Sequence, residues 1–302
     1  MDPQGSSNSL LRLSLDNWTD KLHDLYHQQN ERRLVPEIYL SISEFVSKIA
    51  EAMRKAEFAE AERALAHAFC WLCALVNSCT KLAKLDSPFY LGPEISFSTI
   101  VAQKFPGVCG RCLSRTCRCG LDRMAVEEAK DKCLPSKLQE YQHLFAACAA
   151  AHTLEDWSME FYIIFGQTVY QASLENITLH LMEEVGEVAR KVRELTELCE
   201  LPSDPQEGDK ALRLRDRKRS ELMGEIADVF SWMNSLSIKL GFITTGLTAT
   251  RSMPSSRDRR ADDARGYLVN AIIDVYQDPQ NPGRIRCPRC GQNPCGCSSY
   301  SE

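Results

Sequence analysis

Residues 156–189 read DWSMEFYIIFGQTVYQASLENITLHLMEEVGEVA, and residues 17–50 read NWTDKLHDLYHQQNERRLVPEIYLSISEFVSKIA. The two stretches align without a gap at an offset of 139, which pairs Trp18 with Trp157, Leu40 with Leu179 and Ala50 with Ala189. Further along, AHAFCWLCAL (66–75) matches ADVFSWMNSL (227–236) at an offset of 161, pairing Trp71 with Trp232. A third match sets CGRCLSRTCRCG (109–120) against CPRCGQNPCGCS (287–298), with the shared spacing C-x2-C-x4-C-x-C. Three matches in one order read as a tandem repeat. The expected organisation is a flexible tail over 1–13, a first repeat over 14–120, a helical connector over 121–150 broken near Pro135, and a second repeat over 151–302.

Apolar residues recur at i, i+3 and i+4 in both copies, as in the stripe Leu181, Val185, Val188 and Val192, and this is the period of an amphipathic helix. No alternating strand pattern interrupts it. The expected fold class is therefore all-α, with two helical bundles forming an intrachain pseudo-dimer, each ending in a small four-cysteine knuckle. Two polar stretches, 202–210 and 248–263, are expected as loops, the second of them mobile.

A chain of 302 residues is long enough for two cores. A net charge of -5 gives no global reason to expect DNA or an anionic membrane as a partner. The N-terminus carries no basic segment followed by a long apolar run, and the most apolar stretch, 64–76, falls short of the roughly 20 residues a bilayer needs, so a soluble, cytoplasmic protein is expected. Eight of the fourteen cysteines sit in two tight clusters, which favours metal binding in a reducing compartment over a disulfide scaffold.

The second repeat carries acids that the first lacks. Glu184, Glu187 and Lys191 line one edge of the apolar stripe, and Glu221, Glu225, Asp228 and Trp232 share one face of a later helix. At the matched positions of the first repeat stand Phe45 for Glu184, Lys48 for Glu187, Ala64 for Glu225 and His67 for Asp228, while tryptophans and apolar stripe persist. Features common to both copies read as packing; the acids belong to one copy alone. Packed carboxylates need a cation, and hard divalent cations such as Mg2+ take oxygen ligands from facing helices.

EVGE (184–187) followed by EIAD (225–228) resembles the Glu-x-x-Glu, Glu-x-x-Asp signature of the MazG-like, all-α nucleoside triphosphate pyrophosphohydrolases, over about 174–241. The resemblance implies duplicated MazG-like bundles with a degenerate first copy, and Mg2+-dependent cleavage of a nucleoside triphosphate into monophosphate and pyrophosphate. It implies Glu184, Glu187, Glu225 and Asp228 as Mg2+ ligands, with Glu183 and Glu221 as further candidates for ligation or water activation. Family members are commonly dimers, so a homodimer of the intrachain pseudo-dimer stays open. The interval from Glu187 to Glu225 exceeds its first-copy counterpart and leaves the shape of the substrate pocket open.

Lys191 is a candidate for facing the phosphates, Arg217 and Lys218 in the run 213–219 for steering an anion, and Trp232 for stacking on a base, each balanced against an ordinary structural role. Cys109, Cys112, Cys117 and Cys119, and Cys287, Cys290, Cys295 and Cys297, read as two closed structural Zn2+ sites; an iron–sulfur cluster fits a terminal knuckle less well. Cys70 and Cys73, inside an apolar helix, read as buried core thiols. The alternative function is a non-hydrolytic nucleotide- or nucleic-acid-binding module using the knuckles and Arg-rich loops, with nucleic acid not favoured as a partner.

Overall fold

The structure, a computed structural model, describes residues 9–84, 87–109, 112–117, 119, 134–200, 208–244 and 267–297. The first part of the expected connector, the core of the 202–210 stretch and the whole of 248–263 lie outside the described residues.

The described chain is mostly helical. Helices α1 (Leu15–Asn30), α2 (Val35–Lys55) and α3 (Phe58–Asn77) are followed by a π-helical turn (Ser78–Leu82) and α4 (Phe97–Lys104). Then come α5 (Leu134–Ala149), α6 (Leu154–Gln171), α7 (Leu174–Glu200), α8 (Gly208–Thr244) and α9 (Tyr267–Tyr276). A short ribbon of β1 (Gln277–Asp278) and β2 (Asn281–Ile285) follows.

The helix starts obey the 139-residue offset. Ser14 caps α1 by accepting from the Asn17 N–H, and Thr153 caps α6 by accepting from the Asp156 N–H. Ser14 and Thr153 also face one another across an isolated antiparallel bridge.

A two-residue link after α2 forces α2 and α3 into an antiparallel hairpin, and α7 and α8 form the corresponding pair. The hairpins pack together, α2 on α7 and α3 on α8. Smaller elements cross between halves: α4 packs on α8, and α9 packs on α3. The knuckles cross in the same sense. The Cys117 N–H donates to the Ile164 carbonyl of α6 at 2.7 Å, and the Cys295 N–H to the Leu25 carbonyl of α1 at 2.8 Å. One buried core runs through both halves, with Trp18 and Trp157 fully enclosed.

Three expectations are corrected. Residues 9–13 are not a free tail: Leu10 is fully buried, because SLLRL offers apolar side chains to the core. The ribbon 277–285 escapes periodicity because its strands are too short to show alternation. Finally, α3 and its π-helical turn make 25 continuous residues, Phe58–Leu82, apolar and long enough to cross a membrane; most of that helix is buried inside the protein. The interval between Glu187 and Glu225 carries α7 on to Glu200 and opens α8 at Gly208.

Phe230 of α8 joins the halves, its ring centroid lying 6.1 Å from Phe69, 5.1 Å from Phe97 and 5.7 Å from Phe161. Phe230→Ala should lower unfolding free energy by about 3–5 kcal/mol, read from urea denaturation. A loss under about 1 kcal/mol would show that the halves do not depend on this contact.

Candidate functional site

Helix α7 contributes Glu184, and α8 contributes Glu225 and Asp228. Because α7 and α8 pack together, the three carboxylates converge, with oxygens all within 4.8 Å of one another. All three are half-buried. Burial, then the Asp228, Glu225 and Glu187 charges, pushes the Glu184 carboxyl up to about 7. Burial and the Asp228 charge raise Glu225, and burial raises Asp228.

Into this cluster reaches a residue from the other half. Lys104, the last residue of α4, places its Nζ 2.8 Å from Asp228 Oδ2. Burial pulls the Lys104 ammonium down, but the Asp228 carboxylate outweighs it and holds the group above its ordinary range. Burial likewise keeps Asp228 raised in spite of this partner. Lys104 thus sits as an internal counter-ion to three crowded acids. Sequence reading missed it because Lys104 is far from the acid helices in the chain and reaches them only through the α4–α8 crossing.

The remaining candidates divide. Glu187 lies near enough to repel the trio but holds Arg190, its Oε2 2.8 Å from Nη2. Glu183 is exposed and meets His180 Nδ1 at 3.2 Å. Glu221, a candidate for water activation, is instead gripped by Lys191 at 2.6 Å and Lys218 at 3.0 Å, with Arg217 at 3.6 Å. Hydrogen bonds from Lys191 and Lys218 pull it down to about 2, a very weak base.

Lys191, expected toward phosphates, is buried and engaged by Glu221 and by Glu194 at 3.5 Å. Lys218 also holds Glu194, at 2.7 Å. Arg219 donates to the carbonyls of Ser87 and Pro88, so part of the basic run pins a loop of the first half. Trp232 is half-buried and stacks on His180, ring centroids 4.6 Å apart and planes 13° apart.

Both cysteine clusters assemble. Cys109, Cys112, Cys117 and Cys119 bring their sulfurs within 4.8 Å of one another, and so do Cys287, Cys290, Cys295 and Cys297. Sulfur separations of 3.8 Å (Cys109 to Cys119), 4.0 Å (Cys287 to Cys297) and 3.8 Å (Cys290 to Cys295) match the roughly 3.8 Å edge of a tetrahedron with Zn–S bonds of about 2.3 Å. The knuckles share a backbone turn: Leu113 N–H to Cys109 O and Gly291 N–H to Cys287 O, with Leu113 and Gly291 both at positive φ. Burial pushes the Cys119 thiol up to about 11, whereas at Cys290 the backbone N–H groups of Gln292 and Gly296 outweigh burial and bring the thiol down to about 6. Each cluster can hold a zinc ion.

Cys70 and Cys73 are buried, and burial pushes Cys70 up to about 12, as suits packing thiols. His67 bonds the Tyr276 hydroxyl at 2.8 Å, and burial, then Lys48, lowers it to about 4.

Comparison with protein-family models, with curated proteins and with solved structures gives no match. The reading of the site rests on its own geometry.

Two outcomes follow. Glu184 binds its proton more tightly folded than unfolded, so its stabilising contribution is present below about pH 4.5 and is lost as pH rises through about 7. Measured by thermal melts in Mg2+-free buffer, wild type should therefore lose stability relative to Glu184→Gln across that window. A gap independent of pH would mean that Glu184 is not under this strain. Elemental analysis should find two zinc ions per chain and one in Cys287→Ser, whose melting temperature falls as the knuckle loosens from α1. Unchanged zinc content in that variant would rule the site out.

Proposed function

We propose that this chain is a Mg2+-dependent nucleoside triphosphate pyrophosphohydrolase of the MazG-like kind, built as a tandem duplication with one competent acid site and two structural zinc knuckles. The observation that carries this reading is the convergence of Glu184, Glu225 and Asp228 from two helices, at raised pKa, around an ammonium group. Three hard oxygen donors held together in this way suit a divalent cation, and Lys104 occupies the cluster as a cation of the chain's own. The matched helix starts, the paired caps and the bridge between Ser14 and Thr153 support the duplication.

In this reading Glu184, Glu225 and Asp228 hold Mg2+, with Glu187 at the edge. Bound there, Mg2+ supplies charge neutralisation for the triphosphate and a lowered pKa for a water molecule. The chain's own groups do the rest. Glu187, partly exposed and held by Arg190, accepts the proton of the attacking water. With Mg2+ held by the acids, Lys104 would be free to turn its ammonium from Asp228 to a phosphate oxygen. Lys191 and Lys218 fix Glu221 and Glu194 and so set the spacing of α7 against α8. Arg217, largely exposed and 3.6 Å from Glu221, is the member of the basic run that we assign to an anionic leaving group.

Incubation with a panel of ribo- and deoxyribonucleoside triphosphates and Mg2+ should release pyrophosphate and the monophosphate. Glu184→Gln, Glu225→Gln and Asp228→Asn should each lower turnover by ~100-fold or more, the equivalent of the several kcal/mol a metal site supplies. No turnover of any nucleotide, or full turnover by Asp228→Asn, would refute the proposal.

A further inference from the structure

A cavity of about 460 Å³ lies not at the acid trio but at its counterpart in the first half. Phe45, Lys48, Ala64 and His67, the residues aligned with Glu184, Glu187, Glu225 and Asp228, all line it. So does Trp71, aligned with Trp232. The second knuckle closes one side through Cys287, Pro288, Arg289 and Cys297. The volume is that of a small-molecule site.

The chemistry of this wall has been exchanged, not merely lost. Where the second half gathers acids, the first offers aromatic faces: Phe45 lies 4.9 Å from the His67 ring, and Tyr26 and Trp71 complete the lining. Cations surround these rings. Lys48 Nζ sits 4.7 Å over the Phe45 ring, the Arg33 guanidinium 5.0 Å over Trp71, and Arg63 and Arg289 line the cavity. Its carboxylates, Glu44 and Glu60, are both already matched, to Lys48 at 2.7 Å and to Arg63. With Phe45 and Ala64 in place of acids, the cavity has no converging carboxylates to call for Mg2+.

We propose that the first-half cavity is a metal-independent binding site for an aromatic anion of nucleoside monophosphate size, its ring against the wall that Phe45, His67 and Trp71 form and its phosphate on Lys48 and Arg63. Aromatic side chains hold the ring, and two half-exposed cations at the rim, exchanging Glu44 and Glu60 for the phosphate, hold the charge. The ligand touches helices of the first half and the knuckle of the second. Occupancy therefore ties the two halves together at a point remote from the acid trio.

The test uses the full-length, zinc-loaded protein in Mg2+-free buffer, in the Glu184→Gln background so that the acid site does not contribute. Tryptophan fluorescence and calorimetry would follow titration with AMP and UMP, with adenosine and ribose 5-phosphate as half-ligands. At least one nucleotide should bind at least tenfold more tightly than either half-ligand. Lys48→Glu with Arg63→Ser should weaken it at least tenfold. Both side chains are about half exposed, so the fold is kept; an unchanged melting temperature checks this. Phe45→Glu, which restores the acid of the other half, should weaken binding alone. No binding of either nucleotide at millimolar concentration would overturn the proposal. So would binding that survives the Lys48 and Arg63 changes, or half-ligands that bind as well as the whole. None of these results bears on pyrophosphate release by the second half.

Discussion

Helix α3 is apolar on every side, and the rest of the architecture follows from that. From Ala64 to Asn77 every residue except His67 is buried, so no single neighbour can cover it. A helix of this kind must be surrounded. Its coat comes from α1 and α2 of its own half and from α8 and α9 of the other. Neither half could hide α3 alone, which is why α9 crosses over to it while α4 crosses to α8. The exchange sets each knuckle on the opposite half's first helix and brings Lys104 to acids far away in sequence.

Electrostatics then separates the two halves. Burial first, and then the charges of Asp228, Glu225 and Glu187, push the Glu184 carboxyl up to about 7 in a cluster whose oxygens lie within 4.8 Å. The Lys104 ammonium pulls all three acids down, and burial outweighs it at each of them. A cluster a few ångströms further along the same helices behaves oppositely. Glu221 and Glu194 each have two lysine partners, so their carboxyls are pulled down instead. The same residue type at neighbouring positions of one helix pair is therefore strained in one place and satisfied in the other, according to how deeply it is buried and how many cations reach it.

Much of this was legible in the sequence, and the illegible part has a physical cause. The stripe Leu181, Val185, Val188 and Val192 is buried as its period requires, and the eight clustered cysteines converge as their spacing requires. Spacing within one helix or one turn is local, and sequence reports local geometry well. Glu184 meeting Glu225 needs α7 beside α8, which the short-range pattern only implied; Lys104 needs a crossing between halves, which it did not imply at all. Glu221 shares one face of α8 with Glu225 and so stood as a further candidate for ligation or water activation. The two lysines that neutralise it, Lys191 and Lys218, come from two different helices. The strands of 277–285 were missed because they are too short for alternation to show.

The contrast between halves depends on packing and chemistry occupying different positions of the same helices. Ile42, Val46 and Ile49 are buried, and so are Leu181, Val185 and Val188, their counterparts 139 residues on. Phe45 and Lys48, like Glu184 and Glu187, stand at the edge of that stripe, only partly covered. Substitution at the edge leaves the interdigitating side chains untouched, so the cost of replacing acid by aromatic is electrostatic and local. In the second half the edge needs a counter-ion and receives Lys104 from α4. In the first half the edge needs none, and the position matched to Asp228 is a neutral His67 bonded to Tyr276 of the crossing α9. Each half thus has its edge completed by the other's crossing helix, with a cation where acids gather and a hydroxyl where they do not.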